Sequence, residues 1–122
     1  KGGRWREAEK AVAEMRAAGL EPDAYLYNTL MSAYAKGGQW QGSEEVVSEM
    51  RAAGLPMDVV TFNTLIHSYG GLWEQAEAAL AEMKAAGLKP NVMTYTAVVS
   101  AYAKADGGGE WRRAEGAVAE MQ

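Results

Sequence analysis

Three short stripes of side chains carry the recognisable chemistry of this sequence. Helical spacing of three or four residues puts Tyr25, Asn28, Ser32 and Lys36 on one side of a helix. The same spacing groups Val60, Asn63 and His67, and then Met93, Thr96, Ser100 and Lys104. Each stripe runs from an apolar residue to a small amide or hydroxyl and on to a polar group. Two of the three end in lysine. An amide or hydroxyl can read the edge of an unstacked nucleobase, and a neighbouring apolar side chain can pack on its face. A terminal lysine can meet a phosphate. Ser32, His67 and Ser100 are further candidate contacts along the same stripes.

Other chemistry is scarce. The 122 residues contain no cysteine, which excludes a disulfide framework, a thiolate metal site and a cysteine nucleophile. The single histidine, His67, excludes a multi-histidine metal centre. Neither a zinc-deaminase signature nor clustered carboxylates for metal-assisted hydrolysis are present. The expectation is a protein that is not an enzyme, needs no cofactor and takes no small-molecule substrate. No apolar run approaches the ~20 residues of a membrane helix. Lys1-Gly2-Gly3-Arg4-Trp5 is neither a signal nor a transit peptide and reads like the middle of a longer chain.

The stripes sit in a repeat. Ala13-Glu14-Met15-Arg16-Ala17-Ala18-Gly19-Leu20 recurs with small changes at 48–55 and 81–88, and Ala119-Glu120-Met121 begins a fourth copy. Met15, Met50, Met83 and Met121 are 35, 33 and 38 residues apart, and Trp5, Trp40, Trp73 and Trp111 share these spacings. A second block recurs as Tyr27-Asn28-Thr29-Leu30, Phe62-Asn63-Thr64-Leu65 and Tyr95-Thr96-Ala97-Val98.

Each unit holds two helical patterns. In the first, Tyr27, Leu30, Met31 and Tyr34 form one apolar face, as do Phe62, Leu65, Ile66, Tyr69 and Tyr95, Val98, Val99, Tyr102. In the second, Trp5, Ala8, Val12 and Met15 set the register for Trp40, Trp73 and Trp111 with their followers. That shared register assigns the tryptophans to the core rather than to base stacking. Glycine pairs separate the helices of a unit. Gly19, Gly54 and Gly87 stand where a helix ends in a left-handed residue. Asp23, Asp58 and Asn91 stand where a side chain caps the next helix.

The fold expected is all-α: seven helices, about 3.5 repeats of an antiparallel helical hairpin stacked as an α-solenoid. Residues 1–23 supply the second helix of a truncated repeat. Residues 24–58 form a repeat, 59–91 a short repeat of 33 residues, and 92–122 a C-terminally truncated one.

Val59-Val60-Thr61-Phe62-Asn63-Thr64-Leu65-Ile66 and Gly19-Leu20-Glu21-Pro22-Asp23 resemble the pentatricopeptide repeat nearly residue for residue. The likeness recurs in register along essentially the whole chain. The tetratricopeptide pattern, with its early Trp, Leu-Gly and Tyr, is absent. The resemblance implies a fragment of a longer, right-handed array that binds single-stranded RNA at about one base per repeat. It further implies that the fifth and last residues of a repeat select the base. Those are Asn28 with Asp58, and Asn63 with Asn91. Thr96 and Asp23 lack their partners at the two ends of the chain. By the family's pattern the first pair favours uracil, the second a pyrimidine, and Thr96 a purine, running 5′ to 3′ with the chain. Tyr25, Val60 and Met93 would sandwich bases, and Tyr25 departs from the usual branched aliphatic. Lys36 and Lys104 would contact phosphates. The resemblance also implies work in RNA processing or stabilisation in a chloroplast or mitochondrion.

Two further departures stand out. The middle repeat loses two residues around His67-Ser68-Tyr69-Gly70, and the last unit gains glycines at Gly107-Gly108-Gly109. Charge leaves a second reading open. The net charge is −4 and the pI about 5.0, which favours a helical-repeat scaffold for other proteins over a simple nucleic-acid binder. Yet none of the 16 acidic residues lies in 24–36, 59–69 or 92–104. The helices that carry the stripes are therefore free of the charge that would repel RNA.

Overall fold

The computed structural model of the chain describes residues 4–105. They form six α-helices: α1 (Trp5–Ala17), α2 (Ala24–Lys36), α3 (Trp40–Ala52), α4 (Val59–Ser68), α5 (Trp73–Ala85) and α6 (Val92–Lys104). The architecture of the described residues is all-helical. The seventh helix expected around Trp111, and the glycine insertion before it, lie outside the described residues.

Local chemistry sets the helix ends. Asp23, Asp58 and Asn91 are extended, and each accepts the backbone N–H three residues on, from Leu26, Thr61 and Thr94. These are the caps of α2, α4 and α6. The N-caps of α1, α3 and α5 are Arg4, Gln39 and Leu72, and none makes a side-chain cap bond. The second helix of each unit ends the same way every time. Gly19 has φ 85°, its N–H donates to the Arg16 carbonyl, and Leu20 N–H reaches back to Met15 at 3.1 Å. Gly54-Leu55 and Gly87-Leu88 repeat this closure, which only a left-handed residue permits.

Packing arranges the helices in two layers. Helix α4 packs directly on both α2 and α6, and α2 and α4 each also meet the second helix of their own unit, α3 and α5. Among the described residues, α1, α3 and α5 show no close backbone approach to one another. Long side chains bridge that outer layer, with Arg16 on Glu49 at 2.8 Å and Arg51 on Glu82. A tight first-helix layer under a looser outer one gives the stack an inner and an outer wall.

The core lies between the layers. Met31, Met50, Ile66 and Met83 are completely buried in it. The tryptophans are partly buried at its edge, each set against the tyrosine that ends a first-helix face. Trp5 meets Tyr34, Trp40 meets Tyr69 and Trp73 meets Tyr102, with ring centroids 6.0, 6.1 and 6.0 Å apart. Such tilted pairs add about 0.5–1.5 kcal/mol beyond the area they bury. Each of these tyrosines also donates its hydroxyl to a second-helix glutamate: Tyr34 to Glu9, Tyr69 to Glu44 at 2.7 Å, and Tyr102 to Glu77.

The short middle repeat has a local cost. Helix α4 has 10 residues where α2 and α6 have 13. Its turn into α5 tightens until a Cβ placed on Gly71 would sit 3.0 Å from the Lys104 carbonyl oxygen. The α4–α5 turn thus lies against the end of α6, and a side chain at Gly71 would pack more tightly there than ordinary contacts do.

Candidate nucleic-acid interface

The inner wall carries the stripes. Tyr25, Val60 and Met93 each occupy the second position of a first helix and are 81%, 60% and 69% exposed. Three large apolar side chains are thus held out at equivalent positions of successive first helices. One turn further on, Asn28 and Asn63 are half-buried and Thr96 is exposed. Lys36 and Lys104 are the exposed last residues of α2 and α6. A groove of about 430 Å³ crosses this wall and brings Ser32, Lys36, Asn63, His67, Met93, Thr96 and Ser100 together from three helices. Ala35, Thr64 and Ala97 complete its floor. Asn28, Asp58, Asn91, Tyr25, Val60, Asp23 and Lys104 lie outside that groove.

Two constellations join the helices. In the first, Thr61 of α4 stands between Asn28 and Asp58, with its hydroxyl oxygen 2.7 Å from Asn28 Oδ1 and 2.8 Å from Asp58 Oδ1. In the second, Thr94 of α6 stands between Asn63 and Asn91. The Thr94 hydroxyl donates to Asn63 Oδ1, and Asn63 Nδ2 donates to Asn91 Oδ1 at 3.2 Å. The pairs named from the sequence thus meet across helix boundaries, each through a threonine. Thr61 and Thr94 are fully buried.

These threonines were missed among the candidate residues. Their signal was present as Asp58-x-x-Thr61 and Asn91-x-x-Thr94, a capping-box spacing. In both boxes the cap's own N–H donates back to the threonine hydroxyl oxygen. Helix α2 has Leu26 at that position, so Asp23 caps it with a single bond. Thr96 turns its hydroxyl back onto the Val92 carbonyl at 2.7 Å, which leaves its oxygen lone pairs facing outward.

Electrostatics follow the same geometry. The backbone N–H of Thr61 holds the Asp58 carboxyl below its usual 3.8; burial opposes it, and the Thr61 hydroxyl adds a smaller lowering effect. Asp58 is therefore an ionised acceptor at neutral pH, with one oxygen bound to Thr61. Asn28 and Asn63 keep their carbonyl oxygens toward the threonines and their N–H groups as donors. His67 is exposed beside Lys36 in the groove. Among the described residues no group of three or more acidic or histidine side chains could hold a metal ion, and no helix is long and apolar enough to cross a membrane.

Stacked helical hairpins with a repeated polar constellation on one wall define a helical-repeat module. The sequence model of the PPR repeat family matches residues 22–71 and 58–104, and the chain belongs to that family. Solved structures agree. The chain is similar to the pentatricopeptide repeat protein PPR10 in complex with an 18-nt psaJ RNA element, at 30% identity and a TM-score of 0.81 over 98% of this chain and 18% of that one. A substituted form of PPR10 in the same kind of complex matches at 27% identity and a TM-score of 0.79, over 99% of this chain and 17% of that one. PPR10 from maize matches at 31% identity and a TM-score of 0.75, over 96% of this chain and 17% of that one. The chain thus spans less than a fifth of the length of these relatives. Among curated protein sequences, none matches the chain.

Proposed function

We propose that this chain holds single-stranded RNA along the inner wall of α2, α4 and α6, at about one base per repeat. The observation that carries this reading is the recurrence of one constellation: an exposed apolar residue, an asparagine amide and a cap residue from the next helix. The resemblance to PPR10 bound to an RNA element supports it. Val60 and Met93 pack on base faces, as does Tyr25 with its flat ring. Lys36 and Lys104 meet phosphates. Ser32, His67 and Ser100 flank the path.

Base choice follows from donors and acceptors. Asn28 offers N–H groups and Asp58 a carboxylate oxygen, which complement the O4 and N3–H of uracil. Asn63 and Asn91 both offer N–H groups, which suit the O2 acceptor of either pyrimidine and the N3 acceptor of cytosine. Thr96 offers an oxygen acceptor, suited to the exocyclic amine of a purine. In this reading 24–58, 59–91 and the C-terminally truncated 92–122 are repeats of a right-handed superhelix, with 1–23 the second helix of a truncated repeat before them. Asp23 would serve a base read with a preceding repeat. The protein acts by occupancy, protecting or positioning a transcript in a chloroplast or mitochondrion, and not by catalysis.

Binding of short single-stranded RNAs tests this. The unsubstituted chain should prefer uracil at the base faced by Asn28, and Asn28→Asp and Asn63→Asp should change the preferred base. RNA binding without base preference, unchanged in both variants, would refute base reading. A folded chain that binds no RNA points instead to a protein scaffold, a role the acidic outer wall of Glu44, Glu45, Glu49 and Glu82 would suit.

A further inference from the structure

We propose that Thr94, and by the same geometry Thr61, is a positioning residue that sets base specificity by fixing which face of the neighbouring asparagine amide points at the RNA. The inference rests on the base-reading function above and names residues outside the pairs credited with selection.

The argument is a count of protons. Thr94 N–H donates to Asn91 Oδ1 at 3.0 Å, which fixes the Asn91 amide with its oxygen inward. Asn91 N–H donates to the Thr94 hydroxyl oxygen at 3.1 Å. The Thr94 hydroxyl proton faces Asn63 Oδ1 and, at 3.0 Å, Asn91 Oδ1; the latter already accepts the Thr94 and Asn63 N–H groups, so the shorter bond to Asn63 Oδ1 takes the proton. Asn63 Nδ2 closes the ring on Asn91 Oδ1 at 3.2 Å. A flipped Asn63 amide would set its oxygen against Asn91 Oδ1 and its N–H groups against a hydroxyl left with only Asn91 Oδ1, at 3.0 Å, to donate to. Two bonds would be lost at a site that water cannot reach from the Thr94 side, since that residue is fully buried. The ring therefore leaves Asn63 one unpaired N–H, and the RNA meets a donor. Without the hydroxyl, only the longer bond from Asn63 Nδ2 to Asn91 Oδ1 holds this orientation, so the asparagine more often turns an acceptor to the RNA.

The hydroxyl has two acceptors at each site, but at Thr61 the second is a carboxylate nearly as close as the amide, Asp58 Oδ1 at 2.8 Å against Asn28 Oδ1 at 2.7 Å, whereas at Thr94 it is an amide oxygen at 3.0 Å. The grip on Asn28 is therefore more evenly shared, and weaker, than that on Asn63.

The test is Thr94→Val beside Thr94→Ser, with RNAs varied at the base faced by Asn63. The valine variant should lose about tenfold in the ratio of best to worst base, chiefly by gaining on the worst, while serine keeps the ratio. A folded valine variant with the unsubstituted ratio overturns the proposal. A loss of affinity equal for all four bases would mean a structural cap only, and also overturns it. If the unsubstituted chain binds RNA with no base preference, the base-reading function itself fails. A second measurement needs neither a variant nor RNA. Nitrogen-15 relaxation should show Asn63 Nδ2 as rigid as the backbone, and Asn28 Nδ2 less so. An Asn63 amide as mobile as that of exposed Gln41 overturns the proposal even where Thr94→Val does not fold.

Discussion

The Thr94 hydroxyl holds the amide oxygen of Asn63, a residue 31 positions earlier on the adjacent first helix. That bond ties the cap of one helix to the exposed polar stripe of another. It makes the character of the cap residue, amide or carboxylate, part of the face that asparagine presents.

Asn91→Asp converts the second constellation into the chemistry of Asn28 with Asp58. A carboxylate oxygen replaces the outward N–H groups, so the site gains an acceptor for the N3–H of uracil. The preference for uracil over cytosine should rise about tenfold, ~1.4 kcal/mol. Fluorescence anisotropy with RNAs differing at that single base checks it; an unchanged ratio would deny the cap residue a part in selection.

Lys36→Glu with Lys104→Glu should weaken binding of every RNA sequence alike. Two phosphate contacts on a single strand contribute about 1.4 to the slope of log K against log salt. A salt titration should show the slope reduced by about that amount. The same slope before and after substitution would remove these lysines from the phosphate path.

Ser43→Ala should stabilise the fold. The Ser43 hydroxyl is fully buried and has no hydrogen-bond partner. The matching positions in α1 and α5 are Ala8 and Ala76. Removing the orphaned hydroxyl should add about 1 kcal/mol, read as a higher urea midpoint at constant slope. A lower midpoint would show that the hydroxyl has a partner in solution.

Stability should fall at both extremes of pH. Burial, then the bonds to Glu9 and Glu44, raise Tyr34 and Tyr69 above their usual 10.0. Folding thus favours their neutral forms, and that stability is complete below pH 10 and lost as pH rises beyond it. Asp58 is lowered from 3.8, so its contribution is complete above that pH and lost as pH falls through the folded value. Thermal unfolding across pH should show a plateau between these limits, and Tyr69→Phe should blunt the alkaline fall. An unaltered alkaline limb in Tyr69→Phe would exclude this tyrosine as its cause.

Much of this was legible in the sequence because the repeat states it several times. The periods of Trp5, Trp40 and Trp73, the caps Asp23, Asp58 and Asn91, and the closing glycines each recur, so helix type and ends followed from local rules. The stripes followed from helical spacing. Thr61 and Thr94 did not, because their significance lies in contacts with Asn28 and Asn63 on another helix, and threonine early in a helix reads as an ordinary capping partner. The close approach of Gly71 to Lys104 was equally hidden, since a two-residue deletion tells where the chain is short and not what the shortened turn then touches.

The central claim is that the inner wall presents the amides of Asn28 and Asn63 to RNA bases. Their side-chain nitrogen-15 and proton resonances report this directly during titration with a short single-stranded RNA rich in uracil. The account predicts that both amide signals shift in proportion to bound RNA while Gln41, on α3 of the outer wall, stays in place. Saturable binding that moves Gln41 and leaves Asn28 and Asn63 untouched would contradict it.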